Sequence, residues 1–244
     1  MTESKKFFNL KYWDERLYPA PASRDPVVGF LERMGELIGP GMSVLDIGAG
    51  AGERSLYDYK SKCERMVGVD VDPRVVDNPL LHEGVQANAN SLPFQDNQFD
   101  LAFSVYVLEH VDQPEVFCRE VARVLKPGGQ YWSITPNKIH YVPMVAALTP
   151  TRFHKWLNSK RGRDTEDTFP TCYKLNSKKD LRHHFGNVGM AEVEISMVEV
   201  RPNYLAFTLP TFLIGAAYER VVNATELLSG FRVNFVCGFQ KQKN

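Results

Sequence analysis

The chain has no excess of charge of either sign: 29 Lys and Arg stand against 29 Asp and Glu among 244 residues. A nucleic-acid footprint needs a basic surplus or a concentrated basic stripe, so no nucleic-acid partner is expected. The densest basic group, Lys155, Lys160, Arg161 and Arg163, runs straight into Asp164, Glu166 and Asp167 and reads as a mixed-charge surface. Cysteine is sparse. Cys63, Cys118, Cys172 and Cys237 lie far apart and form no Cys-x-x-Cys pair, the usage of reduced thiols in a cytoplasmic protein. No apolar run of signal-peptide length follows Met1–Lys6, which also points to the cytoplasm. The uncharged run Tyr204–Tyr218 is shorter than the ~20 apolar residues that span a bilayer, and Pro210 is expected to interrupt it. No Gly-Lys-Ser/Thr follows a glycine turn, so a P-loop is excluded.

What is present is Val44-Leu45-Asp46-Ile47-Gly48-Ala49-Gly50-Ala51-Gly52, then Val67-Gly68-Val69-Asp70. A short apolar strand breaks into alternating glycines, and a second ends on an acid twenty residues after Gly50. A tight glycine turn at a strand's carboxyl end, followed by a carboxylate for ribose hydroxyls, is a nucleotide-cofactor arrangement. Glycine serves there because a Cβ would block both the turn and the close approach of backbone to ligand. A dinucleotide fingerprint wants a third glycine where Glu53 stands, and a carboxylate there repels a pyrophosphate. The turn therefore suits a ligand without phosphate, and an NAD-dependent oxidoreductase is the weaker alternative.

Strand and helix patterns alternate along the chain. Strands are expected at Val44–Ile47, Met66–Val69, Val85–Ala87, Phe99–Val105 and Gln130–Thr135, with helices at about 53–62 and Pro114–Leu125. Phe30, Leu31, Met34, Leu37 and Ile38 predict a helix before Gly39-Pro40-Gly41. Leu181–Phe185 predicts a further helix. Ala191–Val200 alternates Val193, Ile195 and Val198 with glutamates, and Arg232–Phe239 is the expected last strand. Alternation of this kind builds parallel βαβ units with right-handed crossovers.

Six ordered blocks carry a resemblance. They are the Gly48–Gly52 turn, Val69-Asp70, Asn88–Phe94, Phe99–Ala102, Val107-Leu108-Glu109-His110-Val111 and Arg123–Gly129. Together they resemble the class I S-adenosylmethionine-dependent methyltransferases, in particular the type-11 branch of ubiquinone and menaquinone biosynthesis enzymes. The resemblance runs from Ser43 to about Pro136. It implies an α/β, Rossmann-like, seven-stranded and mostly parallel sheet with helices on both faces and an antiparallel last strand. Helical insertions would follow strand 5 and separate strands 6 and 7. One methyltransferase domain is expected over 1–244. Its parts would be an N-terminal helical lid (1–42, rich in Phe7, Phe8, Tyr12, Trp13 and Tyr18), a cofactor core (43–137) and acceptor-side insertions (138–190 and 203–231).

The implied cofactor is S-adenosylmethionine. Gly48, Ala49, Gly50 and Gly52 would hold its amino-acid end and ribose, with Asp46 orienting the loop. Asp70 would accept two ribose hydroxyls, and Val71 would pack on adenine. Asn88 stands where an Asp is usual in the family, so its uncharged oxygen would take the adenine amino group, with Ala89 offering a backbone N–H. Val105 and Tyr106 would border the methyl group. The ubiquinone O-methyltransferases bind a divalent metal through Glu-x-x-Glu-His. Tyr106 replaces the first Glu here, and two adjacent ligands, Glu109 and His110, make a poor site, so no metal is expected.

His110, His140 and Tyr141 are the candidates for the acceptor side. The expected reaction is SN2 methyl transfer, with O favoured, to a small-molecule or lipid-like acceptor. A catalytically idle cofactor-binding scaffold is the alternative from another class. Residues 204–218 are expected to form either a buried or substrate-covering helix pair, favoured by length, or a hydrophobic lip with peripheral membrane contact.

Overall fold

The computed structural model describes residues 9–52, 57–138 and 170–243. Three helices open it: α1 (Leu10–Leu17), α2 (Pro21–Arg24) and α3 (Pro26–Leu37). Asp25 caps α3 by accepting the Val27 N–H, and Pro26 stands in its first turn, where a missing N–H costs nothing. Met34, Phe30 and Leu31 are buried at helical spacing, while Leu37, the last residue of the helix, is partly exposed.

The strands are β1 (Ser43–Ile47), β2 (Arg65–Asp70), β3 (Glu83–Gln86), β4 (Phe99–Val105), β5 (Leu125–Pro136), β6 (Met190–Val198) and β7 (Asn234–Lys241). They form one sheet in the order β3-β2-β1-β4-β5-β7-β6. β1 to β5 pair in parallel, and β7 runs antiparallel to both β5 and β6. β6 and β7 are neighbours although residues 199–233 separate them.

Alternate strand residues feed two cores. On one face Tyr131, Cys237 and Phe239 pack beneath α4 (Pro114–Val124) and α5 (Lys178–Asn187), with Phe117, Val121, Leu181 and Phe185. On the other, Phe103, Trp132 and Ile134 meet Phe30, Leu31 and Met34 of α3. Burying a Phe or Leu side chain contributes ~1.5–3 kcal/mol, so two dry faces hold the sheet.

Three local expectations change. β5 begins at Leu125 instead of Gln130, because Lys126–Gly129 is taken into the ladder as an irregularity opposite Phe99 and Leu101. The alternation in β6 is broken by a bulge between Glu192 and Glu194, which leaves Val193 46% exposed. The bulge turns Glu192 toward Arg182 of α5 and Glu194 toward Arg33 of α3, which lie on opposite faces of the sheet. The helix expected over 53–62 is absent from its described part, where 57–59 is irregular and 60–62 is a turn.

Pro210 does not interrupt the apolar segment. It opens α6 (Leu209–Asn223), which Thr208 and Thr211 start with a reciprocal capping box. No described helix is long and apolar enough to cross a membrane.

Candidate active site

β1 and β4 are neighbours whose following connections cross opposite faces of the sheet. Ligands of open α/β sheets sit at such a switch point, beyond the strands' carboxyl ends. Two cavities flank the glycine turn there. One, of about 410 Å³, is lined by Asp46, Gly48, Ala49, Gly50, Gly52, Asp70, Val105 and aromatic neighbours. The other, of about 610 Å³, is lined by Gly48, Asp70, Val71, Asn88, Ala89, Val105, Tyr106 and His110. All eleven residues expected at the cofactor thus border one cavity or the other. Of the three acceptor-side candidates, His110 lies among them; His140 and Tyr141 fall outside the described residues.

The backbone explains the glycines. Gly48 has φ +82°, and a Cβ there would lie 2.4 Å from Val107 Cγ2. Gly52 has φ +79°, and its Cβ would meet Asn78 Oδ1 at 2.4 Å. Both conformation and space require glycine. The Gly48 N–H donates to Val69 O, tying the turn to β2.

Asp70 is more engaged than the sequence suggests. Its Oδ2 accepts the Gly50 N–H (2.8 Å) and its Oδ1 accepts the Asp72 N–H (2.9 Å). A carboxylate has about four acceptor positions, so lone pairs remain for two hydroxyls while the backbone holds the group still. Asn88 behaves alike: its Oδ1 accepts the Asn90 N–H in a local turn. A bond from an adenine amino group would have to share that oxygen. Val71 is 45% exposed, an open apolar wall.

Tyr106 adopts φ +57°, a strained state for a bulky residue, at the end of β4. Beyond it Glu109 and His110 diverge. Glu109 is buried and its Oε2 accepts the Thr135 hydroxyl (3.0 Å), while Asn176 donates to Thr135 in turn. Burial pushes its carboxyl above the ordinary range, against the opposing bond from Thr135 and the charge of His110. His110 borders the larger cavity instead, its Nδ1 3.0 Å from Pro170 O. A carbonyl only accepts, so Nδ1 carries a proton in that contact.

Several residues around the site carried no sequence signal. Asn78 donates to the carbonyls of Ala49 and Gly50. Pro170 and Cys172 close the larger cavity from the return of the insertion after β5, where the Cys172 and Tyr173 N–H groups both donate to Glu109 O. Their partners are remote in sequence, so no motif could announce them. The described part of the N-terminal segment borders neither cavity with α1. Trp13 and Leu17 of α1, with Tyr18 after it, pack on Phe212 and Ala216 of α6. Phe7 and Phe8 fall outside the described residues.

The strand order and the glycine turn at its switch point define a class I S-adenosylmethionine-dependent methyltransferase fold. Residues 45–133 match a family model described as a methyltransferase domain. That match takes in the strands and turns around the cofactor cavities, and it is to the type-11 methyltransferase model. It is 26% identical over 190 residues to a mitochondrial ubiquinone biosynthesis O-methyltransferase of Dictyostelium discoideum, covering 66% of this chain and 57% of that protein. It is 32% identical over 132 residues to a ubiquinone/menaquinone biosynthesis C-methyltransferase of Vibrio vulnificus, covering 47% and 49% respectively. The chain thus spans about half the length of the curated relatives it matches. The YcgJ protein of Bacillus subtilis has a similar fold, with TM-score 0.54 and 20% identity over 89% of this chain and 100% of that one.

The cofactor of the family is S-adenosylmethionine, and the residues present fit it. The turn is stripped of Cβ atoms at Gly48 and Gly52, Asp70 is fixed with spare acceptor capacity, and Val71 and Ala89 offer apolar walls.

Proposed function

We propose that this chain transfers a methyl group from S-adenosylmethionine to a small-molecule or lipid-like acceptor, at oxygen by preference. The observation that carries the reading is the larger cavity, where Asp70, Val71 and Asn88 share one space with Tyr106, His110 and Cys172. When bound, the cofactor supplies an electrophilic methyl on a sulfonium, which the acceptor's nucleophile displaces in a direct SN2 step. The protein's part is chiefly to hold nucleophile and methyl in line. The glycine turn would take the amino-acid end, Asp70 the ribose, and Asn88 and Ala89 the adenine edge, with Val105 and Tyr106 beside the methyl. His110, on the wall of the larger cavity, is proposed to receive the proton of an acceptor hydroxyl. His140 and Tyr141 are proposed as further acceptor-side residues. Oxygen as the target is supported by the O-methyltransferases among the relatives.

In this reading 1–244 is one methyltransferase domain, with 43–137 binding the cofactor and the insertions 138–190 and 203–231 selecting the acceptor. A lipid-like acceptor or a peripheral membrane contact is supported by the apolar residues that 204–218 leaves exposed, namely Phe207, Leu213 and Ile214. Four free cysteines suit a cytoplasmic setting.

Methyl-labelled S-adenosylmethionine incubated with the protein and a cell extract tests the reading. Enzyme-dependent label in the organic phase is the expected outcome. Aqueous label would replace the lipid-like acceptor with a polar metabolite. Tight binding of S-adenosylhomocysteine without any transfer would leave a cofactor-binding scaffold.

A further inference from the structure

We infer that Asn78 is a positioning residue of the cofactor site, setting the glycine turn in the orientation that grips the cofactor's amino-acid end. Asn78 follows a single 3₁₀ turn, Pro73–Asp77, that Asp72 caps, and this short connection brings it back over the glycine turn. It is 6% exposed. Its Nδ2 donates to Ala49 O and to Gly50 O, each at 3.1 Å, and its Oδ1 accepts the Leu80 N–H at 2.9 Å. Every polar atom of the side chain is spent on backbone, and two of the three bonds go to the turn.

The consequence follows from peptide planarity. In a trans peptide the C=O and the N–H point in opposite directions. The Ala49–Gly50 peptide is clamped at both ends, its carbonyl by Asn78 and its N–H by Asp70 Oδ2. The Gly50–Ala51 peptide is clamped at its carbonyl alone, so the Ala51 N–H is held pointing away from Asn78. Without the two Nδ2 bonds, the Gly50–Ala51 peptide can flip and the Ala49–Gly50 peptide is left to the Asp70 bond alone, in a turn whose glycines adopt positive φ readily. A carboxylate gains from N–H donors that are already aimed, because no reorganisation is needed on binding. Gly52 belongs to the same device, since a Cβ there would strike Asn78 Oδ1.

This role rests on the reading of the turn as the seat of the cofactor's amino-acid end. Calorimetry with two ligands separates the two ideas. S-adenosylhomocysteine carries the amino-acid end; 5′-methylthioadenosine keeps the adenine and ribose without it. If the wild-type protein binds both equally or neither, the reading of the turn fails and the role of Asn78 with it. If it prefers S-adenosylhomocysteine, Asn78→Ala should lose about tenfold or more of that affinity, the worth of two hydrogen bonds, and keep methylthioadenosine within about threefold. Unchanged S-adenosylhomocysteine affinity, or an equal loss for both ligands, would overturn the inference. Should Asn78→Ala fail to fold, Asn78→Asp keeps the acceptor for Leu80 and lacks the Nδ2 donors. The same split between ligands is expected of it, and wild-type affinity in that variant would equally count against Asn78.

Discussion

Single residues around the site differ in how much of their chemistry is already committed. Asp70 and Asn88 use side-chain oxygens on local backbone, which fixes them before any ligand arrives. The cysteines divide in the same way. Burial pushes the thiols of Cys63, Cys118 and Cys237 upward, that of Cys237 to about 12, so little thiolate forms near neutrality. Cys172 is exposed and borders the larger cavity beside His110. Iodoacetamide at neutral pH should therefore modify Cys172 well before the others, and saturating S-adenosylhomocysteine should slow that reaction. Peptide mapping by mass spectrometry reads both effects. Equal labelling with and without ligand would separate Cys172 from the cofactor's cavity.

At the scale of elements, the association of α1 with α6 is the feature furthest from local sequence. Tyr18 meets Phe212 edge to face at 6.0 Å and donates to Glu219 at 3.1 Å, across 201 positions of chain. Asn223 donates to the second oxygen of Glu219, and Arg201 pairs with Asp14. Arg232 secures the far end of the insertion, donating to Met197 O, Val222 O and Thr225 O while nearly buried. Phe212 is fully buried in the middle of this contact. Phe212→Ala should cost ~3–5 kcal/mol in urea unfolding. It should also open residues 10–25 to limited proteolysis before global unfolding. Cleavage there unchanged from wild type would mean that α1 is held by something other than α6.

At the scale of the whole molecule, Glu109 joins parts that lie far apart in the chain. Its carboxylate meets Thr135 on β5, and its carbonyl receives the insertion's return at Cys172 and Tyr173. Burial raises the carboxyl's pKa in the folded state above its unfolded value. The fold therefore favours the protonated form: this contribution is full below the unfolded value and is lost as pH rises through the folded one. Glu109→Gln stays neutral throughout, so its melting temperature relative to wild type should climb as pH rises above the unfolded glutamate value of about 4. A difference that stays constant as pH rises would show that folding does not shift the Glu109 carboxyl at all.

The sequence alone determined the cofactor half of the protein. Alternating glycines, an acid on the next strand and apolar runs of strand length are local signals. Local sterics and hydrophobic period act over a few residues, so β1, β2, β4 and α4 lie within a residue or two of where they were expected. Tertiary structure decided the rest. The bulge at Val193 depends on which faces Arg33 and Arg182 occupy, and Asn78 reads as an ordinary turn residue until the short connection after β2 folds it over Gly50. Pro210 could have broken a helix or started one, and the capping pair of Thr208 and Thr211 made it a start. Each outcome turns on partners brought together by the sheet, and such contacts have no periodicity for a sequence to display.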